Sequence, residues 1–154
     1  YRIAAKGGLA DAQTNLGLMY EKGEGVSKNY KEAVYWHQLA ADQGNASAQT
    51  NLGFMYQNGL GVNLDYRQAY KLHIISAGQG NSVAMHNLGL LSKLGKGVPL
   101  DNVYAYMWFN LSAANGHKLS KEERDKLKST LSQSQVQEAQ RLSRECFQKN
   151  YKGC

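Results

Sequence analysis

The chain has 154 residues, 42% of them hydrophobic, with 16 glycines, one proline and a net charge of +6. That is too apolar for a disordered chain, yet no apolar run approaches the ~20 residues of a membrane-spanning helix. The positive charge concentrates from His117 onward, where nine Lys and Arg face five Asp and Glu. The two signs alternate there, as in Lys121-Glu-Glu-Arg-Asp-Lys126, so the run reads as a solvated helix face and no nucleic-acid partner is expected.

Residues 1–8 read as the end of the second helix of an earlier repeat. Ile3-Ala4-Ala5 aligns with Leu39-Ala40-Ala41, and Gly8 with Gly44. A chain that opens at Tyr1 inside a helix is expected to be a fragment whose natural N-terminus, with any signal peptide, has been removed. The segment Asn15-Leu-Gly-Leu-Met-Tyr20, followed by Gly23 and Gly25, then recurs as Asn51-Leu-Gly-Phe-Met-Tyr56 with Gly59 and Gly61. It recurs again as Asn87-Leu-Gly-Leu-Leu-Ser92 with Gly95 and Gly97, each time 36 residues on. A fixed period in this range marks a repeat architecture that buries its core between neighbouring units.

Repeat one, 9–44, carries Ala12, Leu16, Met19 and Tyr20 on one face of a first helix. Gly23 and Gly25 stop that helix. A second helix starts near Asn29-Tyr30 with Ala33, Trp36, Leu39 and Ala40 on one face. Repeat two, 45–80, keeps Ala48, Leu52, Met55, Ala69 and Leu72 apolar. Repeat three, 81–116, does the same with Ala84, Leu88, Leu91, Ala105, Trp108 and Leu111. Gly17, Gly53 and Gly89 sit mid-helix, where Gly costs up to ~1 kcal/mol relative to Ala. Close approach of another helix backbone would offset that cost, and Ala33, Ala69 and Ala105 are the expected partners. After Gly116 the repeat pattern breaks. Ser120-x-x-Glu123 and Ser132-x-x-Gln135 are capping-box patterns that predict two further helices over 117–154. The second of them would carry Val136, Ala139, Leu142 and Phe147 on one side.

The pattern Ala48-x-x-x-Leu52-Gly-x-Met-Tyr56-x-x-Gly59-x-Gly61-Val62, then Ala69-x-x-Leu72 and Ala77-x-Gln-Gly80, resembles the Sel-1-like repeat, a relative of the tetratricopeptide repeat. The resemblance covers 9–116 and the tail of a further repeat at 1–8. The ending, with its charged helix pair and terminal Cys, is similar to the C-terminal cap of bacterial members. Ser92, where Tyr is usual, and Ser76-Ala77-Gly78 depart from the pattern. The resemblance implies an all-α, right-handed α-α superhelix of helix–turn–helix repeats with a C-terminal helical cap, used as a scaffold or adaptor for other proteins.

In tetratricopeptide repeats the position matching Asn15, Asn51 and Asn87 faces the concave groove. An Asn amide both donates and accepts, so this ladder could hold the backbone of an extended peptide. Leu18, Phe54, His86 and Leu90 would lie beside it. The competing reading is that each Asn bridges to the adjacent repeat. Aromatic residues at helical spacing, Trp36 and Trp108 among them, read as core. His37 and His73 share one slot of successive repeats and are expected to pack partly exposed; a metal site would need a third ligand, and no metal is expected. Cys146 and Cys154 are the only thiols and seven residues separate them, so a short return of 150–153 allows a disulfide. That pair favours export, to a bacterial periplasm or the medium, with the cytoplasm as the alternative.

There is no GxSxG, P-loop, HExxH or dinucleotide fingerprint. The expected function is therefore non-catalytic binding of a protein or peptide, with no cofactor and no small-molecule substrate. The alternative is a structural spacer or assembly module connecting other domains. A hydrolase akin to Cys-rich repeat relatives is a remote third, and the chain lacks the SxxK that would support it.

Overall fold

The computed structural model describes residues 2–154; Tyr1, which opens the expected 1–8 segment, lies outside the described residues. Among the described residues there are nine α-helices and no strand. The chain divides into two compact units, Tyr1–Leu72 and His73–Cys154. The division falls within α5 (Tyr66–Ala77).

The first unit contains α1 (Arg2–Lys6), α2 (Ala10–Lys22), α3 (Tyr30–Asp42) and α4 (Ala46–Asn58), each packed on the next, and the start of α5. Its core forms two clusters. Ala5, Ala12 and Leu16 bury with Met19, Tyr20 and Trp36 against them. Ala40, Ala41, Ala48, Leu52 and Leu72 form the other. Alanine at these positions lets helix axes approach closely, so little apolar area per residue still yields a dry interface.

The turn between paired helices is built the same way each time. Gly23 ends α2 in the left-handed conformation at φ 79°, its N–H bonded to the Met19 carbonyl. Asn29 then bonds back to the Tyr20 carbonyl at 2.9 Å, while its side chain accepts from the N–H groups of Lys31 and Glu32 to start α3. Asp65 repeats both contacts, to Tyr56 and to Arg67 and Gln68. One residue thus caps the second helix and ties it to the first, satisfying donors that would otherwise be orphaned. Gly61 has a second reason to be glycine. A Cβ there would lie 2.5 Å from the Tyr30 carbonyl group, so the turn rests directly on backbone at the start of α3.

The second unit contains the rest of α5, α6 (Ser82–Leu94), α7 (Asn102–Ala114), α8 (Lys118–Lys128) and α9 (Gln133–Gln148). Helix α7 packs against α6, α8 and α9 and is buried nearly all round, through Tyr106, Met107, Trp108, Phe109 and Leu111. A helix apolar on every side belongs in the middle of a bundle. Asp101 makes the turn contacts of Asn29, bonding back to the Ser92 carbonyl at 3.0 Å and capping Val103 and Tyr104. Ser92 therefore keeps the turn through its backbone, without the Tyr side chain.

Three expectations are corrected here. Helix α8 begins at Lys118, 36 residues after α6 begins at Ser82, as α6 follows α4 and α4 follows α2. The apolar pattern breaks after Gly116, but the backbone period runs on for one more helix. Ser120 is not the cap of α8. His117 is the N-cap residue, without a side-chain cap bond, and Ser120 is buried inside the helix. The box at Ser132 and Gln135 does form, in both directions. Finally, α9 buries Ala139, Ser143 and Cys146, with Val136 partly buried on the same core, whereas Phe147 is 62% exposed. The spacing 136, 139, 143, 146 is one stripe, and Phe147 lies a further ~100° round the helix.

Candidate functional site

On α2, Asn15 is exposed and Leu18 half-buried; on α4, at matching positions, Asn51 is half-buried and Phe54 is 41% exposed. The threonines beside the asparagines are occupied, for Thr14 and Thr50 are buried and bond back to the carbonyls of Ala10 and Ala46 at 2.9 and 3.0 Å. Neither the Asn15 nor the Asn51 side-chain amide has a hydrogen-bond partner among the described residues. The link back to α2 is made from the junction of α3 and α4 instead. Asn45 caps α4 through Ala48 and reaches Asp11 at 2.8 Å, and Gln43 reaches Gln13 at 2.7 Å. Two asparagine amides and an exposed phenyl ring thus remain available on this face.

The same positions of repeat three are arranged differently. Asn87 is buried at 8% exposure, Leu90 packs against the cluster of Ala105, Tyr106, Phe109, Leu127 and Ala139, and His86 bonds to Ser120 on α8 at 2.8 Å. Lys93 forms an ion pair with Glu123 of α8 at 2.8 Å, and Lys126 shares that carboxylate at 2.9 Å. Two lysines holding one carboxylate lower the Glu123 pKa to about 2, the hydrogen bond from Lys93 contributing most. Helix α8 therefore occupies the face that His86 and Leu90 would have offered to a ligand. The seven residues expected to line one surface thus part into Asn15, Leu18, Asn51 and Phe54, which are open, and His86, Asn87 and Leu90, which pack within the second unit.

Sequence reasoning missed the polar cluster beneath α8. Ser112 donates to the Ser82 carbonyl at 2.6 Å, and Ser120 donates to Ser112 at 2.7 Å. With both hydroxyl protons committed, the lone pairs of the Ser120 oxygen face His86 Nδ1 at 2.8 Å and His117 Nδ1 at 2.9 Å. Both rings must then carry their proton on Nδ1. The rings lie 4.5 Å apart, and His86 also sits 5.5 Å from Phe109. Burial, reinforced by repulsion from His117 and opposed by Glu123, lowers the His86 pKa to about 4; burial also lowers that of His117. A serine flanked by two histidines resembles a nucleophile with its base. Here the bonds run the other way, because neither Nδ1 has a lone pair with which to take the Ser120 proton, and Ser120 is fully buried. The cluster is a structural lock between α6, α7 and α8. Its only advance signal was Ser120, where the earlier repeats carry Ala48 and Ala84; Ser112 stands where repeat two already has Ser76.

The other histidines are fully buried, not partly exposed. The His37 ring covers Gly17: a Cβ on Gly17 would lie 2.6 Å from Cε1 and 2.7 Å from Nδ1 of that ring. Phe109 covers Gly89 in the same way. The mid-helix glycines at 17 and 89 thus accommodate a ring from the second helix of their own repeat, and not the backbone beside Ala33 or Ala105. Neither nitrogen of His37 or of His73 is hydrogen-bonded; His37 Nε2 lies 3.7 Å from Glu21. Among the described residues no three of His, Cys, Asp and Glu gather as a metal site, and no helix is long and apolar enough to cross a membrane.

Cys146 and Cys154 are joined, with Cα atoms 5.5 Å apart. The tail turns back through Asn150 and Tyr151, both in the left-handed region at φ 50° and 62°. The Tyr151 N–H bonds the Cys146 carbonyl at 2.9 Å, and its hydroxyl meets Asn115.

The family model described as Sel1 repeat matches this sequence three times, over residues 10–45, 46–81 and 82–117. No curated protein matches it. Among solved structures, a protective antigen present in uropathogenic Escherichia coli strains, displaying an SLR fold, is similar with a TM-score of 0.77 and 31% identity over 98% of this chain and 40% of its own. A Sel1 repeat protein from Oxalobacter formigenes is similar with a TM-score of 0.70 and 33% identity, over 75% of this chain and 46% of its own. The chain therefore spans less than half the length of either.

Proposed function

The chain belongs to the Sel1 repeat family, a helical-solenoid family of protein-interaction scaffolds, and on that premise we propose that it is a non-catalytic adaptor binding a protein or peptide segment. The contact surface is the face of α2 and α4 that carries Asn15, Leu18, Asn51 and Phe54. The observation behind this reading is that the two asparagine amides make no hydrogen bond within the chain while Phe54 stands 41% exposed beside them. Had these asparagines served only to bridge repeats, their amides would be bonded to the neighbouring helix. An extended segment offers a carbonyl and an N–H at each residue, which an amide matches from one side. Phe54 adds apolar area, and helices that are already ordered lower the entropic cost of association.

The double substitution Asn51→Ala with Phe54→Ala is expected to abolish capture of the partner while changing stability by no more than about 0.5 kcal/mol, as for surface positions without partners. Comparative pull-down and thermal melting check both. A partner that persists with the variant moves the function to another surface, and a large fall in melting temperature makes the asparagine structural.

The Cys146–Cys154 link fits an oxidising compartment, and we place the protein in the bacterial periplasm or outside the cell. Protein purified from its native source is expected to gain the mass of two hydrogens on reduction. Reduction should also speed hydrogen exchange at Tyr151, whose N–H closes the turn onto Cys146 at 2.9 Å. Two free thiols in native material would remove the argument for export.

A further inference from the structure

Helices α7, α8 and α9 leave two depressions open on the second unit, of about 250 and 330 Å³. Both are lined by Asn110 and Ala114 of α7, so the two adjoin along that helix as the ends of one groove. Its smaller end is apolar, between buried Leu111 and exposed Phe147. Its larger end runs along α8, past Lys118, Lys121 and Arg124, and Arg144 of α9 stands at the apolar end.

No acid lines either depression. The acids of the two cap helices are mostly committed elsewhere: Glu123 to Lys93 and Lys126, Asp125 to Arg124, and Glu138 and Glu145 to Arg141. Glu122 carries no such pair but lies outside the groove. Lys118, Lys121 and Arg144 have no ion-pair partner among the described residues. The groove therefore presents unneutralised positive charge along two helices beside an apolar slot. Phe147 is also held in place. Its ring meets Tyr151 edge to face at 5.9 Å, Tyr151 is tied to Asn115, and the Cys146–Cys154 link fixes the turn that carries it. An aromatic ring ordered in this way and left 62% exposed is a preformed contact.

We propose that this groove is a second interaction surface, which takes an acidic peptide segment of a partner protein. One large apolar side chain of the segment packs between Leu111 and Phe147, and flanking carboxylates meet Lys118, Lys121 and Arg144. A small apolar slot suits a single side chain, and cations spread over two helices suit successive carboxylates better than one phosphate group. Nucleic acid would call for several stacking rings along the basic track, whereas the rings lining this groove are Phe147 and the imidazole of His117, which already packs on His86 at 4.5 Å.

The test is selection of a random-peptide phage library on the intact protein, followed by fluorescence anisotropy of a selected peptide. Selected sequences are expected to place Asp or Glu beside Leu, Ile or Phe. The labelled peptide should lose about tenfold or more in affinity both with the triple charge reversal K118E/K121E/R144E and, separately, with Phe147→Ser. All four positions are exposed, so circular dichroism and melting should match the wild type. The Asn51→Ala/Phe54→Ala protein should bind the peptide normally, which separates this groove from the α2 and α4 face. Selection of peptides without acidic residues, or of none, overturns the proposal, as does affinity that survives both sets of substitutions. Tighter binding to phosphatidylglycerol vesicles than to the peptide, lost on the same charge reversal, overturns it in favour of a membrane surface.

Discussion

Gly89→Ala is expected to destabilise the protein by about 2 kcal/mol, although Gly→Ala inside an exposed helix ordinarily stabilises by up to ~1 kcal/mol. The sign reverses because the new Cβ would lie 2.6 Å from Cε1 and 2.7 Å from Cδ1 of Phe109. Phe109 is fully buried and is held by Ala105, Tyr106, Leu127 and Ala139. It cannot swing aside without displacing α8 and α9, and overpacking of a closed core costs about 1–3 kcal/mol. In a Phe109→Leu background, which is itself destabilised, the same Gly89→Ala change should cost less than half as much. The coupling measured by urea unfolding would identify the ring as the cause. Gly17→Ala should behave alike against His37. Equal stability of Gly89→Ala and wild type would show that the α6–α7 contact is looser than its geometry implies.

Acid is expected to weaken the fold between pH 6.5 and about 4, a window that meets the ordinary carboxylate range only at its lower end. His73 is fully buried without a hydrogen bond to either nitrogen, and burial lowers its pKa from 6.5 to about 4. The unfolded chain takes up this proton at its ordinary value while the folded chain refuses it, so unfolding gains protons as the pH drops. The stability in question is whole above pH 6.5, is lost as the pH falls towards 4, and changes no further below that. The linkage amounts to about 3 kcal/mol. His86, partly exposed, acts in the same direction. Glu123 acts in a separate and lower window. Its depressed pKa of about 2 stabilises the protein above the ordinary carboxylate range, and that contribution is lost as the pH falls towards 2. His73→Phe is the diagnostic change, since Phe109 fills the same slot 36 residues later. It should leave stability at pH 8 unchanged or higher and reduce the loss between pH 6.5 and 4 by about 3 kcal/mol. Urea midpoints across that range measure it. An unaltered pH slope would mean that His73 is protonated in the folded state.

Much of the fold was legible because it is local. The turn glycine at 23 repeats at 59 and 95, and all three adopt the left-handed conformation that glycine tolerates best. The Ser132–Gln135 box spans four residues and forms as its pattern predicts. Cys146 and Cys154 can meet because few residues lie between them. Ser120 shows where such reading fails. Its Ser-x-x-Glu pattern is as good as that of Ser132, yet Ser112, His86 and His117 draw its hydroxyl inward and Lys93 draws Glu123 away. The competing partners come from residues up to 34 positions off in the chain, so no local window contains them.

The candidate surface divides along the same line. Asn15, Asn51 and Asn87 are indistinguishable as a sequence pattern, and Leu18, Phe54 and Leu90 equally so. What separates them is coverage, for α8 lies over the third set through Ser120 and Glu123, and the first two remain open. By itself, the sequence determined the 36-residue period, the helix pairs, the glycine stops, the Ser132 box and the cysteine pair, because each follows from backbone preference and contacts within a few residues. Only the tertiary structure decided which ring covers each mid-helix glycine, that Phe147 points outward, and which asparagines stay free. Those outcomes depend on which helix packs against which, and the energy that selects them comes from residues distant in the chain.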